Sequence, residues 1–437
     1  METDEIIRIL FDWNLWGKKQ ETGIVRAFYT DFIHPFFDTN QVIVVTGIRR
    51  SGKSTIMLQL AKTLVENGVK PEDTLFVNFE DYRFYNLSLK TLDEVYDAYL
   101  RKIAKNKKIF LFFDEIHKIK GWEKFVRTLV DKKEATILVS GSNTKLMGKE
   151  YGELLTGRHI KVLVLPLDFK EFLLFNGLKI GSELEIISES VKIRKLLDTY
   201  IEYGSFPEVV LARTETKKKI LIDYLESIIT KDVVERHKIK EKAKLMALTR
   251  YYFSNISSKI SFNKLKEFLD IPLRTVERFS YYLEEAYLVF FLKRFSFKVK
   301  EQEKSNRKVY VADVGLANVL GFKFSTDIGK IIENIVFLEL IKRNANKPNF
   351  EIYYWQDFSN KEVDFVIKEN QKIKQLIQVC YTLTDLNTKE REIQALLKAS
   401  RELKCKNLII INNDFAGEEK IKGLKIKFIP LWKWLLN

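Results

Sequence analysis

The stretch TGIRRSGKST carries the spacing Gly47-x-x-x-x-Gly52-Lys53-Ser54. Glycines at both ends let the backbone curl until successive N–H groups point at one anion. A helix starting there adds the positive end of its dipole. A lysine at this position reaches the β- and γ-phosphates of a nucleotide, and the neighbouring hydroxyl binds Mg2+. The candidate phosphate-binding residues are therefore Gly47, Ile48, Arg49, Arg50, Ser51, Gly52, Lys53, Ser54 and Thr55. Further on, KIFLFFDEIHKI ends an apolar run in Asp114-Glu115. An acid at the C-terminal end of a parallel strand faces the ligand crevice. Asp114 reads as a member of the Mg2+ shell, and Glu115 as the carboxylate that orients and polarises an attacking water.

Three further candidates surround this site. Ser142 or Asn143, at the end of TILVSGSN, could sense the γ-phosphate. Asn143 is the preferred sensor, though an asparagine here also makes an ordinary turn. Arg158 follows Gly157 in LLTGRHIKVLVLPL. It reads either as an arginine finger for a neighbouring subunit's γ-phosphate or as a partner in a local ion pair. In IEYGSFPEVV, Pro207 behind an aromatic could pack on adenine or simply start a helix.

A second constellation lies in KEVDFVIKENQKIKQLIQVC, Lys361 to Cys380, which scans as a β-hairpin. Metal-assisted phosphodiester cleavage needs carboxylates for Mg2+ and usually a lysine. Such nucleases place an Asp on one strand and an acidic-x-Lys on the next. Asp364 supplies the first, but Gln378-Val379-Cys380 stands in the second place. Gln378 is a neutral, weak Mg2+ ligand and Cys380 carries no fixed positive charge. Glu333, Asp364 and Gln378, with Glu362 nearby, therefore read as a vestigial nuclease site on a scaffold that does not cleave.

These residues need elements to hold them. Residues 1–40 read as short helices. From Gln41 to about Pro166, VIVVTG, TLFVNF, KIFLFFDE, ATILVSGS and HIKVLVLPL are short runs rich in β-branched and aromatic residues, mostly separated by helical segments. That pattern predicts an α/β fold with a buried parallel sheet. Residues 168–240 turn helical. Residues 241–300 carry two or three more helices and the strand-like YLVFFLKRF. Residues 301–437 are mixed α and β, with strands KVYVAD, EIYYWQD, EVDFVI, LIQVCY and NLIIIN. The expected division is thus 1–167, 168–240, 241–300 and 301–437.

The 437 residues suffice for two or three domains with cores. A hydrophobic fraction of 46% excludes a disordered chain. The net charge of +15 fits either contact with nucleic acid or a solvated lysine-rich surface. Two cysteines exclude a disulfide framework and a zinc site by spacing. The N-terminus lacks the pattern of a signal peptide and no apolar run approaches a membrane span, so the expectation is a cytoplasmic protein without a membrane partner. Few Pro and Gly, with much Lys, Glu and Ile, suggest a thermophilic source.

Taken in order, GIRRSGKST, FFDEIHKIKGWEKFVRTLVD, VSGSN, LTGRHIKVLVLPLDFKEF and YGSFPEVV resemble an archaeal and bacterial family of AAA+-type ATPases with a C-terminal domain of unknown function. The resemblance covers essentially the whole chain. It implies a P-loop core with a helical lid, and hydrolysis of Mg2+-ATP through Lys53, Ser54, Asp114 and Glu115. A Gly-x-Pro motif touches the base in related signalling ATPases; here Gly204 and Pro207 have two residues between them. SFNKLKEFLDIPLRTVERFSYYLEEAYLVFFLKRF resembles a winged helix-turn-helix, with Arg274 and Arg278 at the start of its second helix and Lys264 and Lys266 as backbone contacts for DNA. A packing or protein-interaction module is the other reading. The last segment resembles the restriction-endonuclease-like fold. Three functions follow: an ATPase coupled to a DNA-contacting C-terminal half, a nucleotide switch acting on a protein partner, and, ranked last, an ATP-gated nuclease. A working finger at Arg158 would require a homo-oligomer.

Overall fold

The computed structural model describes residues 1–437 except 107, 143–156, 322–326, 346, 348 and 384. The preferred sensor, Asn143, lies outside the described residues. The chain forms two compact units, one of Met1–Leu165 with Glu285–Tyr287, the other of Pro166–Glu284 with Leu288–Asn437.

The first unit is built on a five-stranded sheet of β1 (Val42–Thr46), β2 (Thr74–Asn78), β3 (Ile109–Asp114), β4 (Ala135–Gly141) and β5 (His159–Leu163), in the order β2-β3-β4-β1-β5. Every pairing is parallel. β1 and β3 are buried along their whole length, which explains why they read as unbroken apolar runs rather than alternating ones. One face packs against helices Thr3–Trp13, Leu89–Lys102 and Trp122–Lys132. The other packs against helices Ala27–Ile33 and Lys53–Glu66. The connection from β1 runs to β2 on one side while the connection from β4 passes over β1 to β5 on the other, so the order reverses at β1 and the crevice for a ligand opens at its C-terminal end.

The second unit begins with the expected helical stretch. Its helix Thr214–Ser227 runs on into a π-helical segment, Ile228–Glu235. Next come helix Lys242–Ser254, β6 (Ser258–Ile260), helices Phe262–Leu269 and Leu273–Glu285, β7 (Val289–Leu292) and β8 (Arg307–Val311). These strands form an antiparallel sheet ordered β6-β8-β7. Its central strand, β8, lies beyond residue 300, where the sequence reading ended this module.

The remaining sheet is ordered β13-β14-β12-β11-β10-β9. Its strands are β9 (Phe350–Gln356), β10 (Glu362–Glu369), β11 (Lys372–Val379), β12 (Leu408–Asn412), β13 (Gly417–Ile421) and β14 (Leu424–Pro430). The expected hairpin is present, with strands reaching to a tight turn at Asn370, whose φ is +55°. The β13–β14 hairpin was not foreseen, although its alternating lysines and apolar residues flank a Lys422-Gly423 turn at positive φ.

The segment IEYGSFPEVV adopts the helix-start arrangement of its second reading. Ser205 N donates to Asp313 Oδ2 at 2.6 Å, and Phe206 is fully buried edge-on to Tyr224, with ring centroids 5.4 Å apart. Pro207 opens the short helix Pro207–Leu211, so its fixed φ serves as a helix start. Gly204 has φ +70°, and a Cβ there would sit 2.0 Å from Asp313 Oδ1. Gly204→Ala is therefore expected to cost about 2 kcal/mol or more in urea unfolding while leaving nucleotide affinity unchanged. Loss of affinity in a stably folded variant would return this motif to the base-binding role.

Candidate functional site

The loop after β1 adopts positive φ at Gly47 (+145°), Arg50 (+70°) and Gly52 (+94°). At Gly47 the constraint is also steric, since a Cβ would lie 2.0 Å from the Val164 carbonyl oxygen. Helix Lys53–Glu66 starts directly behind the loop. Lys53 is buried and donates to the carbonyls of Gly47 (3.0 Å) and Ile48 (3.1 Å). Its ammonium thus lies across the mouth of the loop that its backbone defines. Ser54 and Thr55 fall on the helix's first turn; Ile48 and Ser51 are buried and Arg50 exposed.

Two buried residues that sequence reasoning missed support this loop. Arg26 donates to the carbonyls of Ser51 (2.7 Å) and Leu165 (3.0 Å) and lies 4.6 Å over the Tyr29 ring. Gln59 binds the carbonyls of Thr22 (2.7 Å) and Ile24 (2.9 Å), tying the N-terminal segment to the helix. Neither has a motif around it. For Gln59 the signal was a polar residue at an inward helical position; Arg26 lies just before helix Ala27–Ile33.

Asp114 ends β3 and is fully buried. Its carboxylate accepts hydrogen bonds from the Ser140 hydroxyl and from Ser54. Burial, then the adjacent Glu115, push its pKa up to about 6, against the pull of those hydroxyls and Lys53. Glu115 stands at φ +54°, which turns it away from the strand direction, and its N–H donates to Ser140 Oγ at 3.0 Å. His117 Nδ1 lies 3.1 Å from the Glu115 carboxylate. Arg49 and Lys118 both reach Glu80 Oε1, each at 3.2 Å. Hydroxyl and carboxylate oxygens are the hard donors Mg2+ takes, so Ser54 and Asp114 fit that ion.

The hairpin site differs from its reading in one decisive respect. Lys308, on β8, projects its buried ammonium into the carboxylates. Its Nζ lies 2.8 Å from Glu333, 2.6 Å from Glu362 and 2.9 Å from Asp364. Burial pulls the Lys308 pKa down, but the surrounding anions, Asp364 first, hold it well above the usual lysine range. Burial, then Asp364, push Glu333 up to about 8, and Tyr310 donates to Glu333 at 2.6 Å. Gln378 accepts from the Asp364 N–H at 3.2 Å and donates to Glu392 at 2.7 Å. Cys380 is a buried thiol raised to about 11 by burial and then Glu392, so it adds no charge to the site. The hint of Lys308 was a cation at the start of the apolar run KVYVA, two residues before Tyr310 and so on the same strand face.

A family model for an AAA domain matches residues 39–173. Two further models, for domains of unknown function (DUF8612 and DUF4143), match residues 194–327 and 328–434. An uncharacterized protein of Methanocaldococcus jannaschii is 40% identical over 413 residues, covering 91% of this chain and 89% of its own length. The chain belongs to the AAA+ P-loop ATPase family with C-terminal domains of unknown function. An uncharacterized protein of Haemophilus influenzae is another relative, 28% identical over 415 residues, with coverage of 94% and 98%. Among solved structures, AMPPCP-bound DnaA from Aquifex aeolicus matches 63% of this chain and 92% of its own at 12% identity; the TM-score of 0.27 supports no functional argument.

In this member of the family the other candidate residues are placed as follows. Arg158 lies at the N-terminal edge of the sheet, where its carbonyl accepts from Val42 N, at the opposite end of β1 from the phosphate loop. Its guanidinium pairs with Asp131, which is the local ion pair of the alternative reading. Arg274 and Arg278 are exposed one turn apart on helix Leu273–Glu285, and Lys264 and Lys266 are exposed on helix Phe262–Leu269. No helix among the described residues is long and apolar enough to cross a membrane.

The raised pKa of Glu333 makes a pH prediction. Stability from its protonated form is complete below its ordinary value of 4.5 and lost as pH rises through about 8. Wild type should therefore lose stability relative to Glu333→Gln over that window, read from thermal midpoints at stepped pH. A pH-independent difference would show that Glu333 is ionised throughout.

Proposed function

We propose that this AAA+ family member binds Mg2+-ATP at the Gly47–Thr55 loop, hydrolyses it, and couples turnover to a C-terminal half that contacts DNA. The observation that carries the ATPase reading is the hydrogen bond between Ser54 and the buried Asp114 carboxylate beside the Lys53 ammonium. The loop amides would take the phosphate oxygens. Lys53 would exchange the Gly47 and Ile48 carbonyls for the β- and γ-phosphates. The chemistry Mg2+ supplies when bound, at the Ser54 and Asp114 oxygens, is neutralisation of charge across those phosphates. Glu115 would orient the attacking water and accept its proton. The Arg158 finger, working in trans between copies, would have to leave Asp131.

Lys53→Ala should abolish nucleotide binding. Glu115→Gln should keep binding while slowing phosphate release by roughly a hundredfold or more. A malachite-green assay beside fluorescent-nucleotide titration separates the two. Equal phosphate release from wild type and both variants would overturn the assignment.

The DNA reading is supported by the helix pair Phe262–Leu269 and Leu273–Glu285 set between β6 and β7, with helix Val299–Lys304 between β7 and β8, by the four exposed cations on that pair and by the net charge of +15. Replacing both Arg274 and Arg278 with Ala should weaken duplex binding and flatten its dependence on log salt by about two units of slope. Unchanged filter binding across salt concentrations would move the assignment to a protein partner. The terminal domain, proposed as restriction-endonuclease-like, is read as non-cleaving because Gln378 and the buried Cys380 stand where an acidic-x-Lys would be.

A further inference from the structure

Lys308 has three ammonium protons, and three carboxylates from two elements, helix Ile328–Asn344 and β10, meet it at 2.6, 2.8 and 2.9 Å. The carboxylates are completed around it. Tyr310 donates to Glu333 at 2.6 Å, Val379 N donates to Asp364 Oδ2 at 2.9 Å, and Lys259 lies 2.9 Å from Glu362 Oε2. These spacings suit N–H···O bonds and are longer than the roughly 2.1 Å that Mg2+ demands. Among the described residues, no group of His, Cys, Asp or Glu is arranged to hold a metal. Yet the cluster borders a cavity of about 980 Å3, lined by Glu333, Glu362, Asp364, Gln378, Arg391 and Glu392, so an ion from solvent has a path to it.

We infer that the Lys308 ammonium is the resident cation of the terminal domain, standing where a nuclease of this layout holds a divalent ion, and that removing it turns the same carboxylates into a divalent-metal site. The cation comes from β8, on the neighbouring sheet, whereas a nuclease lysine of the hairpin would come from β11. The inference rests on the non-cleaving reading of the terminal domain and deepens it. A fixed ammonium offsets part of the carboxylates' charge without offering the open coordination positions on which metal-assisted hydrolysis depends.

The test uses the full-length chain and Mn2+ alone. Lys308→Met keeps the aliphatic stem and removes the charge. Titration followed by electron paramagnetic resonance should find no Asp364-dependent site in wild type. In Lys308→Met it should find one with at least about tenfold tighter affinity, because a positive charge no longer repels the ion. Millimolar Mn2+ should raise the thermal midpoint of Lys308→Met, and Asp364→Asn in that background should abolish both effects. If Lys308→Met does not fold alone, refolding with Mn2+ should recover it; failure to recover, or a folded variant without the new site, overturns the inference. Wild type that binds Mn2+ through Asp364 but cuts no DNA overturns the inference alone. Wild type that cuts DNA with Mg2+, and stops on Asp364→Asn, overturns the non-cleaving reading beneath it.

Discussion

A tight anion-binding loop must turn its amides toward one point, and only a backbone that enters the left-handed region can do so over so few residues. Gly47, Arg50 and Gly52 make that turn here. The close contact of Gly47 with the Val164 carbonyl sets β5 against the loop. Arg26 holds the loop's Ser51 carbonyl from the other side. β1 must then sit inside the sheet, with β3 near enough for Asp114 to meet Ser54. Much of the first unit reads as the support this single loop requires.

The second unit depends on a different rule. A buried ammonium is stable only when its charge and all its donors are met. Lys308 meets both demands with carboxylates from helix Ile328–Asn344 and β10. A second buried lysine, Lys342 on the same helix, pairs with Glu171 at 2.7 Å and with Asp168. That pairing ties the start of the helical segment to the terminal domain, and both fall within one compact unit. Breaking either network would leave a charge in the interior, so these contacts fix which elements lie side by side.

Much of the candidate site was legible beforehand because it is local. Gly47 to Ser54 act through consecutive backbone groups, and their neighbours decide the strand and helix on either side. β1 and β3 were legible for a similar reason, since full burial leaves a continuous apolar run. Arg26, Gln59 and Lys308 were not, because each acts through a partner distant in sequence: Arg26 on Leu165, Gln59 on Thr22 and Ile24, Lys308 on Asp364. Gly204 looked like half of a base-binding motif, yet its conformation is set by Asp313.

The hairpin at Asp364 marks the boundary between the two kinds of information. Its strands, its turn and the loss of an acidic-x-Lys pattern were written in the local order of residues, where period-two alternation and turn chemistry suffice. Whether a cation stands beside Asp364 was decided elsewhere, by a lysine on another sheet. The amino-acid sequence alone determined the phosphate loop, the acidic pair and the strands of the first unit, because those depend on neighbours along the chain. Only the tertiary structure decided which charges meet, because Coulomb interaction and desolvation depend on distance through space and on exclusion of water.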